Sequence, residues 1–192
     1  MVMKIVKIFI IIVFSIIIVG CSFVLGIKEP TKISKESAIQ YLEKHNISTE
    51  NVVFLKDNYF DTLQTLAFKP NWELGFRPVQ FKVFNSDGRL ISQYSSCEGP
   101  LKKTLFKDTF PPKNLNPIDT SYTLYEEQRL IEDSLKYNKS TDYIVIIYWA
   151  TYTGVIGRRF LIKTEKHFEK HFKDNKNQIK IYKLNTDNII NE

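Results

Sequence analysis

Seven consecutive residues, Tyr143 to Trp149 (YIVIIYW), carry neither a charge nor a turn former, and four of them are β-branched. A run of this kind reads as a strand. With no polar face to offer water, it must be covered on both sides, as a central strand is. From Val155 to Phe172 the apolar positions Val155, Ile156, Phe160, Leu161, Phe168 and Phe172 recur at three- and four-residue steps, which predicts a helix. Gln178 to Leu184 then alternates through Ile179 and Ile181, a second strand. Strand, helix and strand at this spacing demand a right-handed crossover and a parallel pair. The expected class is α/β, a mixed sheet with flanking helices.

The rest of the body supplies further elements. Ser34 predicts a helix cap, with a helix running to about His45 and turning Ala38, Ile39 and Leu42 inward. Val52 to Leu55 is a short strand, and Tyr59 to Phe68 has helical spacing up to the breaker Lys69-Pro70-Asn71. Val79 to Phe84 and Arg89 to Tyr94 flank the turn Asn85-Ser86-Asp87-Gly88 and predict a hairpin. Ser95 to Pro100 is a loop around Cys97, and Leu101 to Phe106 a short helix. Phe110 to Pro117 reads as an irregular connector and Tyr122 to Tyr137 as another helix.

The head of the chain has a different character. Residues 1–27 include 21 apolar ones. Lys4 and Lys7 precede a 12-residue apolar run, Ile8 to Val19, interrupted only by Ser15 and followed by Gly20 and Cys21. A basic start, an apolar stretch and a small residue at its end describe an export signal. Ile18-Val19-Gly20-Cys21 resembles the lipobox of bacterial lipoproteins, with Ile18 where that motif usually has leucine. The resemblance implies cleavage after Gly20 and a lipid on Cys21. An uncleaved anchor is the alternative, because Ile8 to Ile27 is uncharged over 20 residues and long enough to cross a bilayer. Both place the body outside the cytoplasm, attached to a membrane of the cell envelope. The expected organisation is a signal peptide at 1–20, a lipidated Cys21 with a tether to residue 33, and one α/β domain over 34–192.

Composition limits the remaining possibilities. Seven Gly, seven Pro and no short repeat exclude collagen and low-complexity chains, and no second long apolar run allows a multi-span membrane protein. The net charge of +6 comes mostly from scattered lysines. Nucleic-acid binders cluster arginine with stacking aromatics, so no nucleic-acid partner is expected. A lipidated Cys21 leaves Cys97 without a disulfide mate.

The segment Trp149-Ala150-Thr151-Tyr152-Thr153-Gly154-Val155-Ile156-Gly157-Arg158 resembles the active-site segment of thioredoxin-like oxidoreductases. Their pattern is an apolar strand followed by Trp-Ala-x-Trp-Cys-Gly-Pro-Cys and a base. Trp149, Ala150 and Gly154 match it, and Tyr152 replaces one aromatic by another. The resemblance implies a thioredoxin-like core. It also implies that the usual chemistry is absent, because Thr153 and Ile156 stand where the two cysteines belong. Thr153 reads as a helix N-cap. The Arg77-Pro78-Val79 lead into the hairpin resembles the proline-led strand that faces the active site in that family. Here it precedes the motif rather than follows it, so either the elements are rearranged or this second match is fortuitous.

Other chemistry is sparse. Cys97, ahead of Pro100-Leu101, is a weak candidate for a reactive thiol and would support a one-cysteine oxidoreductase or peroxidase. His167 and His171 have the i,i+4 spacing of metal-binding pairs but no evident third ligand. Asp57, Asp61 and Glu73 form no recognisable acid/base pair, Gly154 and Gly157 make no phosphate loop, and no Gly-x-Ser-x-Gly occurs. The expectation is a membrane-tethered binding or scaffold protein with an envelope partner, without catalytic residues, metal or cofactor.

Overall fold

Tyr143–Trp149 is the middle strand of a five-stranded mixed sheet. The computed structural model describes residues 26–56, 77–95, 110, 121–137, 140–174 and 178–190. In chain order the elements are β1 (Lys32–Ile33), α1 (Lys35–Lys44), β2 (Val52–Phe54), β3 (Gln80–Asn85), β4 (Leu90–Ser95), α2 (Leu124–Leu130), β5 (Tyr143–Trp149), α3 (Gly154–His171), β6 (Ile179–Asn185) and β7 (Asn188–Ile189). The sheet order is β2-β6-β5-β3-β4. β5, β6 and β2 are parallel, and β3 is antiparallel to both β5 and β4. β1 and β7 form a separate parallel pair.

β5 is buried along almost its whole length, as its composition requires, and it divides the core. Val145, Ile147 and Trp149 face the layer that contains α1 and α3, where they meet Phe81, Val83, Phe160, Leu161 and Phe168. Ile144, Ile146 and Tyr148 face the opposite layer with Phe84, Leu90, Leu124, Ile131 and Leu184. A mixed α/β sheet flanked by helices is therefore the architecture. It is compatible with a thioredoxin-like core whose elements follow a rearranged order: the β3–β4 hairpin lies beside β5, across from β6, although it precedes both in the chain.

Local signals account for the helices. The Ser34 hydroxyl accepts the Ser37 N–H at 3.2 Å and starts α1. The Glu126 carboxylate receives the Thr123 N–H and hydroxyl at 2.5 and 2.8 Å, closing the first turn of α2. α2 stops at Leu130, well short of the helix expected through Tyr137. Ile131 takes an extended conformation and bridges to Leu55, while Lys56 donates to the Leu130 carbonyl and Glu132 to that of Phe54. The outer side of β2 would otherwise present unpaired peptide groups, and this pairing removes the chain from the helix.

The hairpin, α1, α3 and the strands at β2, β5 and β6 fall within about two residues of their expected bounds. The head, the expected helices Tyr59–Phe68 and Leu101–Phe106, and both Cys21 and Cys97 lie outside the described residues. Among the described residues, no helix is long and apolar enough to cross a membrane.

Candidate functional site

The Trp149–Arg158 segment occupies the end of β5, a 3-10 turn at Thr151–Thr153 and the first turns of α3. Gly154 begins α3 at φ +61°, a conformation that an L side chain adopts only with strain. Thr153 sits before it but does not cap the helix, contrary to the expectation from sequence. Its hydroxyl points backward and donates to the Ala150 carbonyl at 2.6 Å. The reason is local: Thr153 has a helical rather than an extended backbone, so its side chain cannot reach the free N–H groups ahead. Thr153 is buried, and Ile156 is 39% exposed.

The turn is held by residues that sequence reasoning passed over. Asp187, just after β6, lies within the fold at 2% exposure. Its carboxylate accepts the Thr151 N–H at 2.9 Å, the Thr151 hydroxyl at 2.8 Å and the Asn185 side-chain amide at 2.8 Å. Burial pushes the Asp187 carboxyl up from its ordinary value, and those donors work in the opposite direction. Thr186 ties the same end of β6 to β5, donating its N–H and hydroxyl to the Trp149 carbonyl at 2.9 and 3.1 Å. Tyr41 of α1 stacks on Trp149 with ring centroids 6.1 Å apart and reaches the Gly154 carbonyl at 3.4 Å. The signal in the sequence was Asn185-Thr186-Asp187-Asn188, four polar residues ending a strand, a string favourable for caps and turns.

Two other contacts complete this end of the sheet. Arg158 Nη1 lies 2.9 Å from His45 Nδ1, and burial with the Arg158 charge lowers the His45 pKa. The stretch read as a tether is bound here too: the Lys28 N–H donates to the Tyr152 carbonyl at 2.9 Å, and β1 pairs with β7. The polar groups at Thr151, Tyr152, Thr153 and Gly154 are thus engaged in building the turn, whereas the buried Trp149 indole N–H has no hydrogen-bond partner among the described residues. Val79, which follows Pro78 and leads into β3, is close enough to Gly157 that a Cβ built there would stand 3.4 Å from it. The residue leading into the hairpin therefore approaches the first turns of α3.

His167 and His171 stack at 6.5 Å between centroids, and burial together with neighbouring positive charge pushes the His167 pKa down to about 4. His171 also stacks on Phe110, at 5.3 Å. Among the described residues, no group of three or more His, Cys, Asp or Glu could hold a metal ion.

A concavity lies at the opposite end of the parallel strands. An open groove of about 720 Å³ runs between the second half of α3, the start of β6 and the turn before β2. Six lysines line it: Lys136, Lys166, Lys170, Lys173, Lys180 and Lys183. Glu50, Glu165 and Glu169 oppose them, and Glu165 is engaged by Lys183 at 2.5 Å. Among the described residues, the other five lysines make no ion pair. Residues 28–192 hold 25 basic and 21 acidic side chains, so the groove concentrates most of the body's positive excess in one place. No family model matches the chain, and no curated protein or solved structure is significantly similar to it.

Proposed function

We infer that this chain is a membrane-tethered extracytoplasmic binding or scaffold protein, built on a thioredoxin-like α/β arrangement that has given up thiol chemistry. The observation that carries the reading is the pair of positions 153 and 156. Thiol exchange needs an attacking thiolate and a resolving thiol. Thr153 is buried with its hydroxyl committed to the Ala150 carbonyl, and Ile156 offers no nucleophile. Export and tethering rest on the basic, apolar, Gly20-Cys21 pattern of the head. The full chain in detergent should reduce insulin no faster than buffer with dithiothreitol alone. Reduction well above that background, abolished by Cys97→Ser, would replace this reading with a one-cysteine thiol enzyme.

The lysine groove is the surface this reading offers to a partner, and its charge selects an acidic one. Fluorescent polyglutamate, used as a probe, should bind the full chain at low ionic strength and dissociate as salt is raised. Replacing Lys166, Lys170 and Lys173 together by Glu should weaken binding at least tenfold without changing the far-UV circular dichroism. Equal binding by the wild type and the triple variant would remove the groove from consideration.

A further inference from the structure

We propose that the end of the sheet carrying Ile27, Ile156 and Ile190 rests on the lipid surface, so that the lysine groove faces away from the membrane. Five large apolar side chains are exposed among the described residues: Ile27 (43%), Tyr125 (70%), Tyr137 (45%), Ile156 (39%) and Ile190 (45%). The three isoleucines belong to one end of the fold. Ile27 precedes Lys28, whose N–H is bound to Tyr152 in the turn after β5. Ile156 is in the first turn of α3, which that turn begins. Ile190 follows β7 and donates its N–H to the Ile33 carbonyl at 2.9 Å, beyond the Asp187 that holds Thr151.

The position of the anchor says what covers this end. The inference rests on the tethering reading, and it holds for either form of anchor. Cys21 is five residues before Gly26, a stretch of chain that spans at most about 17 Å. An uncleaved span would end at Ile27 itself, on the same surface. Gly26 is in turn held against the motif, since a Cβ added there would lie 3.8 Å from the Gly154 Cα. The bilayer is therefore brought to this end of the domain by the covalent chain. Contact with it is effectively intramolecular, so a small apolar patch suffices to fix the orientation. Exposed Lys28, Lys32 and Arg159 lie at the same end, and exposed Glu29 and Glu36 offset part of their charge. The patch consequently depends on its isoleucines more than on anionic lipid. The groove starts at the other end of β6, about 20 Å away at Ile179, and runs along α3 and the strand as far as Lys183.

The test uses the full chain in vesicles of phosphatidylcholine with one-quarter phosphatidylglycerol. Ile156→Cys, Ile190→Cys and Lys173→Cys are made separately in a Cys97→Ser background and labelled with an environment-sensitive nitrobenzoxadiazole probe. The Cys97→Ser chain serves as the labelling blank. Lipids bearing a shallow nitroxide should quench the probes at 156 and 190 at least threefold more than the probe at 173. A second variant, Ile27→Glu with Ile190→Glu, alters only exposed side chains. It should stay attached to vesicles on flotation and lose the preferential quenching at 156. Equal quenching at all three positions in chains that float would overturn the orientation and leave the tether standing. Chains that fail to float would overturn both.

Discussion

Glu127→Ala should destabilise the domain by about 3–5 kcal/mol, because it strands a buried charge. Lys82 is on β3 and Glu127 on α2, and both are buried on the face of the sheet away from α3. Lys82 Nζ donates to Glu127 at 2.8 Å, and the Tyr122 hydroxyl does so at 3.0 Å. The Tyr148 hydroxyl donates to the other carboxylate oxygen. The ammonium also lies 4.3 Å from the Tyr122 ring centroid. Removing the carboxylate takes away the counter-charge of the buried Lys82 ammonium and the acceptor that the Tyr122 and Tyr148 hydroxyls share with it. Replacing both charges, as Lys82→Met with Glu127→Leu, should cost far less than Glu127→Ala alone, since no unpaired charge remains. Urea unfolding of the full chain in mild detergent compares the three; a Glu127→Ala midpoint equal to wild type would show that the pair is not buried as described.

The same cluster predicts a pH dependence. Burial alone drives the Lys82 pKa down, but the Glu127 carboxylate and the Tyr122 oxygen outweigh it and hold the ammonium above its ordinary 10.5. A basic group raised by folding contributes its full stability below the unfolded value and loses it as pH climbs through the folded one. The contribution of Lys82 is therefore constant through neutral pH and disappears only above about 10.5.

These examples mark where the sequence was legible. β5, α3, β6 and the hairpin are written in local periodicity, so their residues identify them without knowledge of their neighbours. Asp187 could not be read this way, because the turn it holds is 36 positions earlier in the chain. Lys82 in an alternating strand looks like a solvated side chain until Glu127, 45 residues away, is brought against it. The end of α2 failed for the same reason: Ile131 and Leu135 continue a helical stripe, yet the free side of β2 captures Ile131. The exposure of Ile27, Ile156 and Ile190 was illegible because these residues have nothing in common in sequence. The Trp149–Arg158 segment was legible as the end of a strand and the start of a helix, and so was its lack of cysteine. The backward turn of Thr153 depends on a backbone conformation that only the fold specifies.

Gly157→Ala provides the second large effect, and its sign is the reverse of the usual one. Within a helix, Ala is ordinarily favoured over Gly by about 1 kcal/mol. Gly157 is in the first turns of an 18-residue helix and should follow that rule if nothing stood beside it. A Cβ there would fall 1.8 Å from Thr153 Oγ1 and 2.7 Å from Thr153 Cβ. Thr153 is poorly placed to retreat. It is buried, and its hydroxyl is bound to the Ala150 carbonyl at 2.6 Å. The expected loss is at least about 3 kcal/mol, at the upper end for overpacked sites. Second-site variants separate this collision from any general intolerance of α3. Thr153→Ser keeps the hydroxyl and should give no relief; Thr153→Ala removes the nearer atom and should give part of it. Thr153→Gly removes both atoms and should restore Gly157→Ala most nearly to the stability of Thr153→Gly alone. A double-mutant cycle by urea unfolding measures the coupling. Coupling near zero, or a Gly157→Ala variant more stable than wild type, would mean that the start of α3 does not pack against the turn. The motif would then be free to open in a way that its hydrogen bonds to Asp187, Tyr41 and Lys28 argue against.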